Sequence, residues 1–232
     1  MITLVKSKLK TFVGGIHSRE DGKILTQDKK ESPLLFPKTV YLFMSQHIGA
    51  PASPIVKKGD FVKKGQLVGT AQGFVSANVH ASISGKVADV VPWPHPITGV
   101  RSPAVVIENC GEDSWIEGMS VASDIDLISP DEIRLLIQSA GIVGLGGATF
   151  PTHVKLTPPK DKIIDTVVMN GAECEPYLTC DYRLMLEKPH EIIQGLKLVM
   201  KCIGCKKAHI GIEANKSDVY TIFKNIVLND PD

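Results

Sequence analysis

The stretch "VKKGDFVKKGQLVG", Val56 to Gly69, decides the fold of the first half of the chain. "VKKGD" from Val56 returns six residues on as "VKKGQ" from Val62. In each copy the glycine can supply the positive φ of a turn, and the valines can point into a core on alternate sides. Short apolar runs broken by glycine and proline fill residues 34–110, the punctuation of an all-β segment. "GFVSANVHASISGKVADVV" adds a further pair of strands, with inward positions expected at Val79, Ala81, Ile83 and Val87. Many short strands at regular spacing predict a small sandwich or flattened barrel.

After "SWIEGMSVASDIDLISP" the pattern changes, which sets a domain boundary near residues 115–128. Ser129-Pro130-Asp131-Glu132 reads as a capping box with proline at the first helical position. Ile133, Leu136, Ile137 and Ala140 follow as one helical stripe, and Gly141 stops the helix. "KIIDTVVMN", Lys162 to Asn170, reads as a strand whose near-continuous apolar run suits cover on both faces. A helix from about Pro189 to Lys201, a strand "AHIGIEA" and a helix after Ser217 complete a β-α-β-α run with parallel pairing. The expected organisation is an N-terminal arm at 1–33, a β-rich domain at 34–118 and an α/β domain at 119–232. The final helix has nothing after it to pack a further layer, so the α/β domain is expected to be incomplete.

Composition sets outer limits on function. The 232 residues carry 43% hydrophobic and 22% charged side chains, enough for two domains with real cores. A net charge of +1 gives no reason to expect a nucleic-acid partner. No apolar run approaches the roughly 18 residues of a membrane span, and the N-terminal apolar stretches are too short for a signal peptide. Five unevenly spaced cysteines do not form a disulfide framework, so a reducing cytoplasm is expected.

Two segments carry the chemistry. "GIVGLGGATFPTHVKL", Gly141 to Leu156, has glycines at 141, 144, 146 and 147. It fails the dinucleotide fingerprint, because Thr149 takes the third glycine's place and the loop follows a helix instead of a strand. It fails the P-loop pattern too, since no lysine follows Gly146 or Gly147. Clustered glycines nonetheless let backbone amides converge on an anion. Thr149 or Thr152 can cap a short helix, with Pro151 suited to its first turn, and Lys155 can reach back as a point charge. The competing reading is a connector that needs glycine to pass closely over a sheet. The second segment, "NGAECEPYLTCDYR", Asn170 to Arg183, follows the carboxyl end of the apolar strand, where α/β sheets place ligands. Asn170, Glu173 and Glu175 offer amide and carboxylate groups suited to sugar hydroxyls, complementary to a phosphate at the glycine loop. Its competing reading is an exposed acidic turn.

"GLGGATFPTHVKL" followed by "MNGAECEPYLTCDYRLMLE" resembles the flavin- and NADH-binding subunit of respiratory complex I, and resembles still more closely the C subunit of the Rnf electron-transport complex. "FVGGIH" and "QHIGAPASPIVKKGDFVKKGQLVGTAQGFVSANVHASISG" look like the same Rnf subunit, so the resemblance spans almost the whole chain. It implies a barrel-sandwich hybrid domain of the biotinyl/lipoyl type and a Rossmann-like α/β domain for FMN and NADH. It implies FMN as cofactor, hydride exchange with NADH, and electrons passed to iron–sulfur clusters and ferredoxin in a membrane ion-pumping complex. It further implies partner subunits and a peripheral place on the cytoplasmic face. Carried over by position, Gly144, Gly146, Gly147 and Lys155 hold the FMN phosphate and neighbouring atoms. Asn170 and Glu173 face the ribityl chain and ring edge, Glu175 lies nearest the hydride-transfer face, and Phe150 packs against NADH. The rival reading is a non-catalytic assembly module with an empty nucleotide site.

The chain departs from this pattern in places. Leu145 stands where the complex I relatives have Arg, Ala172 where an acid is expected, and Tyr177 where Gly is expected. The two [4Fe-4S] clusters of the family sit in C-x-x-C-x-x-C-x-x-x-C-P runs, and this chain has none, so the clusters belong to a missing C-terminal part. The β-rich half also looks like a biotinyl/lipoyl carrier, but "TAQGFVSANV" between its two halves lacks the exposed lysine a carrier modifies. Cys202 and Cys205 form a lone C-x-x-C without the second pair that zinc needs, which favours two buried thiols. Cys174 lies between Glu173 and Glu175, surroundings that disfavour a reactive thiolate. His47, His80, His95 and His153 are scattered and read as turn or packing residues. "WPHPITG" reads as a proline-rich surface loop suited to a partner contact.

Overall fold

The two halves of the VKKG repeat fold into the same turn twice. In the first, Asp60 N donates to the Lys57 carbonyl and the Asp60 carboxylate accepts from Lys57 N. In the second, Gln66 N donates to the Lys63 carbonyl and Gln66 Oε1 accepts from Lys63 N. Gly59 and Gly65 take φ of 97° and 83°, so glycine is demanded by the turn itself. The computed structural model describes residues 2–3 (backbone only), 21–32, 36–118 and 127–229. Their contacts gather into two compact units, one of 34–159 and one of 1–33 with 160–232.

The 34–159 unit is built on two antiparallel sheets. Strands β2 (Thr39–Phe43), β4 (Phe61–Val62), β7 (Gly85–Pro94) and β8 (Arg101–Asn109) form one, in the order β2-β8-β7-β4. Strands β3 (Ser53–Pro54), β5 (Leu67–Thr70) and β6 (Val79–His80) form the other, in the order β3-β5-β6. A register shift between Val87 and Asp89 bends β7 against β8. Met44, Val62, Val68, Val87, Val105 and Ile107 are fully enclosed between the sheets. The expected inward positions Val79, Ala81, Ile83 and Val87 are all buried. Burying such aliphatic side chains is worth about 1.5–3 kcal/mol each and is the main force holding the sandwich.

Helix α1 (Pro130–Ser139) belongs to this same unit. Its N-terminus is the capping box read from the sequence: Ser129 Oγ accepts from Glu132 N, and the Glu132 carboxylate accepts from Ser129 N. The stripe is only partly buried, because Ile133 is enclosed and Ile137 half-buried whereas Leu136 is 54% exposed. The helix meets its unit along a narrow seam. Asn78 Nδ2 donates to the Ser139 carbonyl, and Arg134 Nε to that of Leu156.

The other unit is a parallel sheet with helices. Strand β10 (Lys207–Gly211) lies between β1 (Ile2–Thr3) and β9 (Thr166–Asn170), all parallel. The first residues of the chain therefore supply a strand to the sheet that follows residue 160. Helices α3 (Cys180–Glu187), α4 (Pro189–Ile203) and α5 (Ser217–Asn229) pack with it around Tyr182, Met185, Ile193, Val219 and Phe223. The expected two-sided cover of β9 is not found, since Val168 is 69% exposed and the strand lies at the sheet's edge. Cys202 and Cys205, at the end of α4, are both buried, and the Cys205 thiol donates to the Lys207 carbonyl.

Candidate functional site

The glycine loop is closed at its base by backbone pairing. Val143 and Pro151 form an antiparallel bridge, Gly144 N donates to the Phe150 carbonyl at 3.0 Å, and Thr152 N donates to the Ile142 carbonyl at 3.0 Å. Between these ties, Leu145 is 91% exposed. At Gly146 and Gly147 no heavy atom among the described residues lies within 4 Å of where a Cβ would stand. Gly147 takes φ of 136°, a conformation that glycine alone adopts readily. Lys155 ends the short helix α2 (Thr152–Lys155) and points back, its Nζ 3.7 Å from the position a Cβ on Gly144 would take. Gly144, Phe150 and Lys155 are thus brought together, with the backbone of Gly146 and Gly147 uncovered beside them.

The expected side-chain cap of that helix is absent. Pro151 occupies the N-cap position, and Thr149 Oγ1 donates instead to the Ala148 carbonyl. The bridge to Val143 fixes Pro151 at the start of the turn and leaves no threonine there. Without that cap, the groups this loop offers an anion are glycine backbone and Lys155, not a capped helix end. The loop is braced against its own unit: Ile48 N donates to the Thr149 carbonyl, and buried His153 donates through Nε2 to the Phe74 carbonyl. His153 and His47 are packing residues, as the sequence suggested, with His47 lodged against the Ala77 and Ile48 backbone.

The other predicted residues lie in the unit of the parallel sheet. Asn170 is the last residue of β9, and its Oδ1 accepts from Ala172 N, while Gly171 N still donates to the Gly211 carbonyl of β10. Glu173 is buried, at 3% exposure, and its two oxygens accept from Asp181 N and Tyr182 N at 2.8 and 3.3 Å. Its carboxylate is therefore the N-terminal cap of α3, a helix the sequence reading missed because the cap comes from several residues upstream. Glu175 is exposed, with its carbonyl accepting from Leu178 N. Pro176 and Tyr177 stand at the centre of that turn, and Tyr177 takes φ of 66°. This is the residue pattern of a type II turn, which prefers glycine at the Tyr177 position.

Carboxylates crowd this loop. Burial, then the charges of Glu173 and Glu175, push the Asp181 carboxyl above its ordinary value. Burial, then Asp181 and Glu173, push the Cys180 thiol up as well. Glu173, Cys180 and Asp181 bring one donor atom each within 4.8 Å of one another, but the Glu173 oxygens are already taken by the α3 amides. One residue of this region had no signal in the sequence reading. Lys23 is buried, 5% exposed, and its Nζ donates to the Glu173 carbonyl.

Comparison with known proteins matches residues 10–112 to the RnfC barrel sandwich hybrid domain and residues 137–232 to the Nuo51 FMN-binding domain. The second match includes both the glycine loop and the Asn170–Glu175 segment. The C subunit of a proton-translocating ferredoxin:NAD(+) oxidoreductase complex from Clostridium ljungdahlii is 50% identical over 208 residues, 90% of this chain and 45% of that protein. The C subunit of the Na(+)-translocating complex from Acetobacterium woodii is 48% identical over 223 residues, 95% of this chain and 49% of that protein. The C subunit of an ion-translocating oxidoreductase complex from Rhodobacter capsulatus is 43% identical over 204 residues, 88% of this chain and 39% of that protein. The chain thus spans less than half the length of these relatives. Among the described residues, no helix is long and apolar enough to cross a membrane.

Proposed function

We propose that this chain, which matches the RnfC barrel sandwich hybrid domain over residues 10–112 and the Nuo51 FMN-binding domain over 137–232 and is 50% identical to an RnfC-type C subunit, is the FMN-binding part of such a protein, exchanging hydride with NADH. In this reading the electrons continue to two [4Fe-4S] clusters in the part of such proteins that this chain does not match, and then to ferredoxin. The partners are the other subunits of an ion-translocating complex on the cytoplasmic face of the membrane. The parallel sheet is read as part of a Rossmann-like domain that the longer relatives extend.

The observation that carries the proposal is the uncovered glycine backbone with Lys155 Nζ beside Gly144. A phosphate is favoured by glycine backbone without Cβ atoms and by a nearby cation; the Gly144 amide is taken by the Phe150 carbonyl, so it is the uncovered Gly146 and Gly147 backbone and Lys155 that support this reading. Gly144, Gly146, Gly147 and Lys155 are assigned to the phosphate, and Phe150, half-buried at the loop's end, to packing on NADH. FMN, when bound, supplies the change from two-electron to one-electron chemistry. The chain's own residues position it. Asn170, its Oδ1 engaged by Ala172 N, has its Nδ2 to offer a ribityl hydroxyl. Glu173 shapes the loop through α3, and exposed Glu175 is assigned to the hydride-transfer face.

A second reading, an assembly module that keeps the fold with an empty site, is favoured by the commitment of the Glu173 carboxylate to α3. Titration with FMN, followed by flavin fluorescence, decides between them. Micromolar binding, weakened about tenfold or more by Lys155→Ala, supports the FMN site. Absence of binding both in this chain and in one extended to the length of its relatives sinks it.

A further inference from the structure

The short segment from Asp21 to Gln27 touches the 173–179 loop at both of its feet. At one foot Lys23 Nζ donates to the Glu173 carbonyl. At the other, Tyr177 N donates to the Asp21 carbonyl, Thr26 Oγ1 donates to the Tyr177 carbonyl, and Thr179 Oγ1 donates to Thr26 Oγ1. Gly22 lies flat against the Tyr177 ring, so close that a Cβ there would fall 2.1 Å from a ring carbon. Between the feet hang Cys174, Glu175 and Pro176, all exposed. Glu175 is therefore the apex of a loop pinned on either side by residues about 150 positions earlier in the chain.

A buried lysine is a costly way to satisfy one carbonyl, since an ammonium loses several kcal/mol of hydration and a neutral donor would serve. The loop explains the charge. It carries Glu173 and Glu175 and adjoins Asp181, whose carboxyl their charges help to push up. In general a cation buried among carboxylates offsets such repulsion where a neutral donor does not.

We propose that Lys23 is a positioning residue that holds the 173–179 loop closed against its own carboxylates and so presents Glu175. The role assigned to Glu175 rests on the FMN reading, whereas the brace rests on the contacts alone. Lys23 touches no reacting group; it acts through the Glu173 backbone.

Hydrogen–deuterium exchange on the whole chain tests the brace without any flavin. Lys23→Met is expected to speed exchange of the Tyr177, Asp181 and Tyr182 amides by about tenfold or more while the barrel strands keep wild-type rates. Lys23→Arg, which keeps the charge and a donor, is expected to restore them. Unchanged loop exchange in Lys23→Met, or no restoration by arginine in a folded variant, overturns the proposal. Should Lys23→Met not fold, Thr26→Val loosens the other foot, and unchanged exchange there overturns it equally. FMN titration of the same variants separates the two readings. If the wild type binds FMN, Lys23→Met weakens it several-fold and Lys23→Arg recovers it. If the wild type does not bind, the FMN reading is in question and exchange alone decides the brace.

Discussion

The Tyr182 hydroxyl donates a 2.5 Å hydrogen bond to the Asp218 carboxylate, tying α3 to α5. The Lys216 ammonium lies 3.9 Å from the centre of the same ring. The bond to Asp218, then burial and the Asp218 charge, push the Tyr182 phenol up to about 12. Asp218 is held below its ordinary value: burial opposes this, but the Tyr182 bond and backbone amides outweigh it. The sign for tyrosine follows from a folded value above the unfolded one. Its contribution is complete below pH about 10 and is lost as pH rises through about 12. Asp218 runs oppositely, contributing above its unfolded value and losing that contribution as pH falls through its depressed folded value. Tyr182→Phe should therefore cost about 1–3 kcal/mol at neutral pH. It should also flatten the fall in stability between pH 10 and 12, read by urea unfolding across that window.

Glu173 and Glu175 are two residues apart and should behave differently. Glu173→Ala removes the buried cap of α3 and should cost about 1–2 kcal/mol. Glu175→Ala, at an exposed site, should stay within about 0.5 kcal/mol. Chemical denaturation followed by far-UV circular dichroism compares them directly. Equal costs would mean that the Glu173 carboxylate does not carry the helix end.

Tyr177 and Gly22 form a coupled pair. Tyr177 holds a φ that favours glycine, at a cost of order 1 kcal/mol, and the sequence already marked it as standing where glycine is expected. Gly22→Ala drives a methyl into the Tyr177 ring and strains a φ of 70°. In wild type Gly22→Ala should cost about 2 kcal/mol or more; with Tyr177→Gly already present only the backbone strain of about 1 kcal/mol should remain. A double-mutant cycle on thermal unfolding measures the difference. Additive costs would show that the ring does not rest on Gly22.

What the sequence disclosed was mostly local. Ser129 and Glu132 cap α1 because a capping box needs only four consecutive residues, and the VKKG turns close through side chains three positions apart. The inward valines of the sandwich follow from strand alternation, which the sequence carries directly. Lys155 beside Gly144 was also foreseeable, since only the rest of the loop and the short helix α2 separate them in the chain. What stayed hidden depended on distant partners. The cap of α3 comes from Glu173 over an irregular loop, and the burial of Lys23 depends on a carbonyl about 150 residues away. Val168 is as apolar as a central strand residue, and only the sheet order places it at an edge. The threonine cap at the glycine loop failed because the bridge from Val143 to Pro151 decides where the helix starts.

The glycines of the loop should separate stability from binding. Gly147→Ala places an L side chain at a φ of 136° and should cost about 1 kcal/mol or more of stability with no neighbour to clash against. Gly144→Ala meets Lys155 Nζ at 3.7 Å and the Phe150 carbonyl oxygen and amide nitrogen at 3.8 and 3.9 Å, all ordinary contacts, so stability should change by about 0.5 kcal/mol or less. Its methyl nonetheless stands between the loop backbone and the ammonium, the space a phosphate needs. Gly144→Ala should therefore weaken FMN binding about tenfold or more at unchanged melting temperature, and Lys155→Ala should do the same. Only the Lys155 variant should also lose salt dependence, because it removes a charge and Gly144→Ala does not. Calorimetric titration at two ionic strengths makes the comparison. Full affinity in the folded Gly144→Ala variant would show that the anion does not occupy the space between that backbone and Lys155.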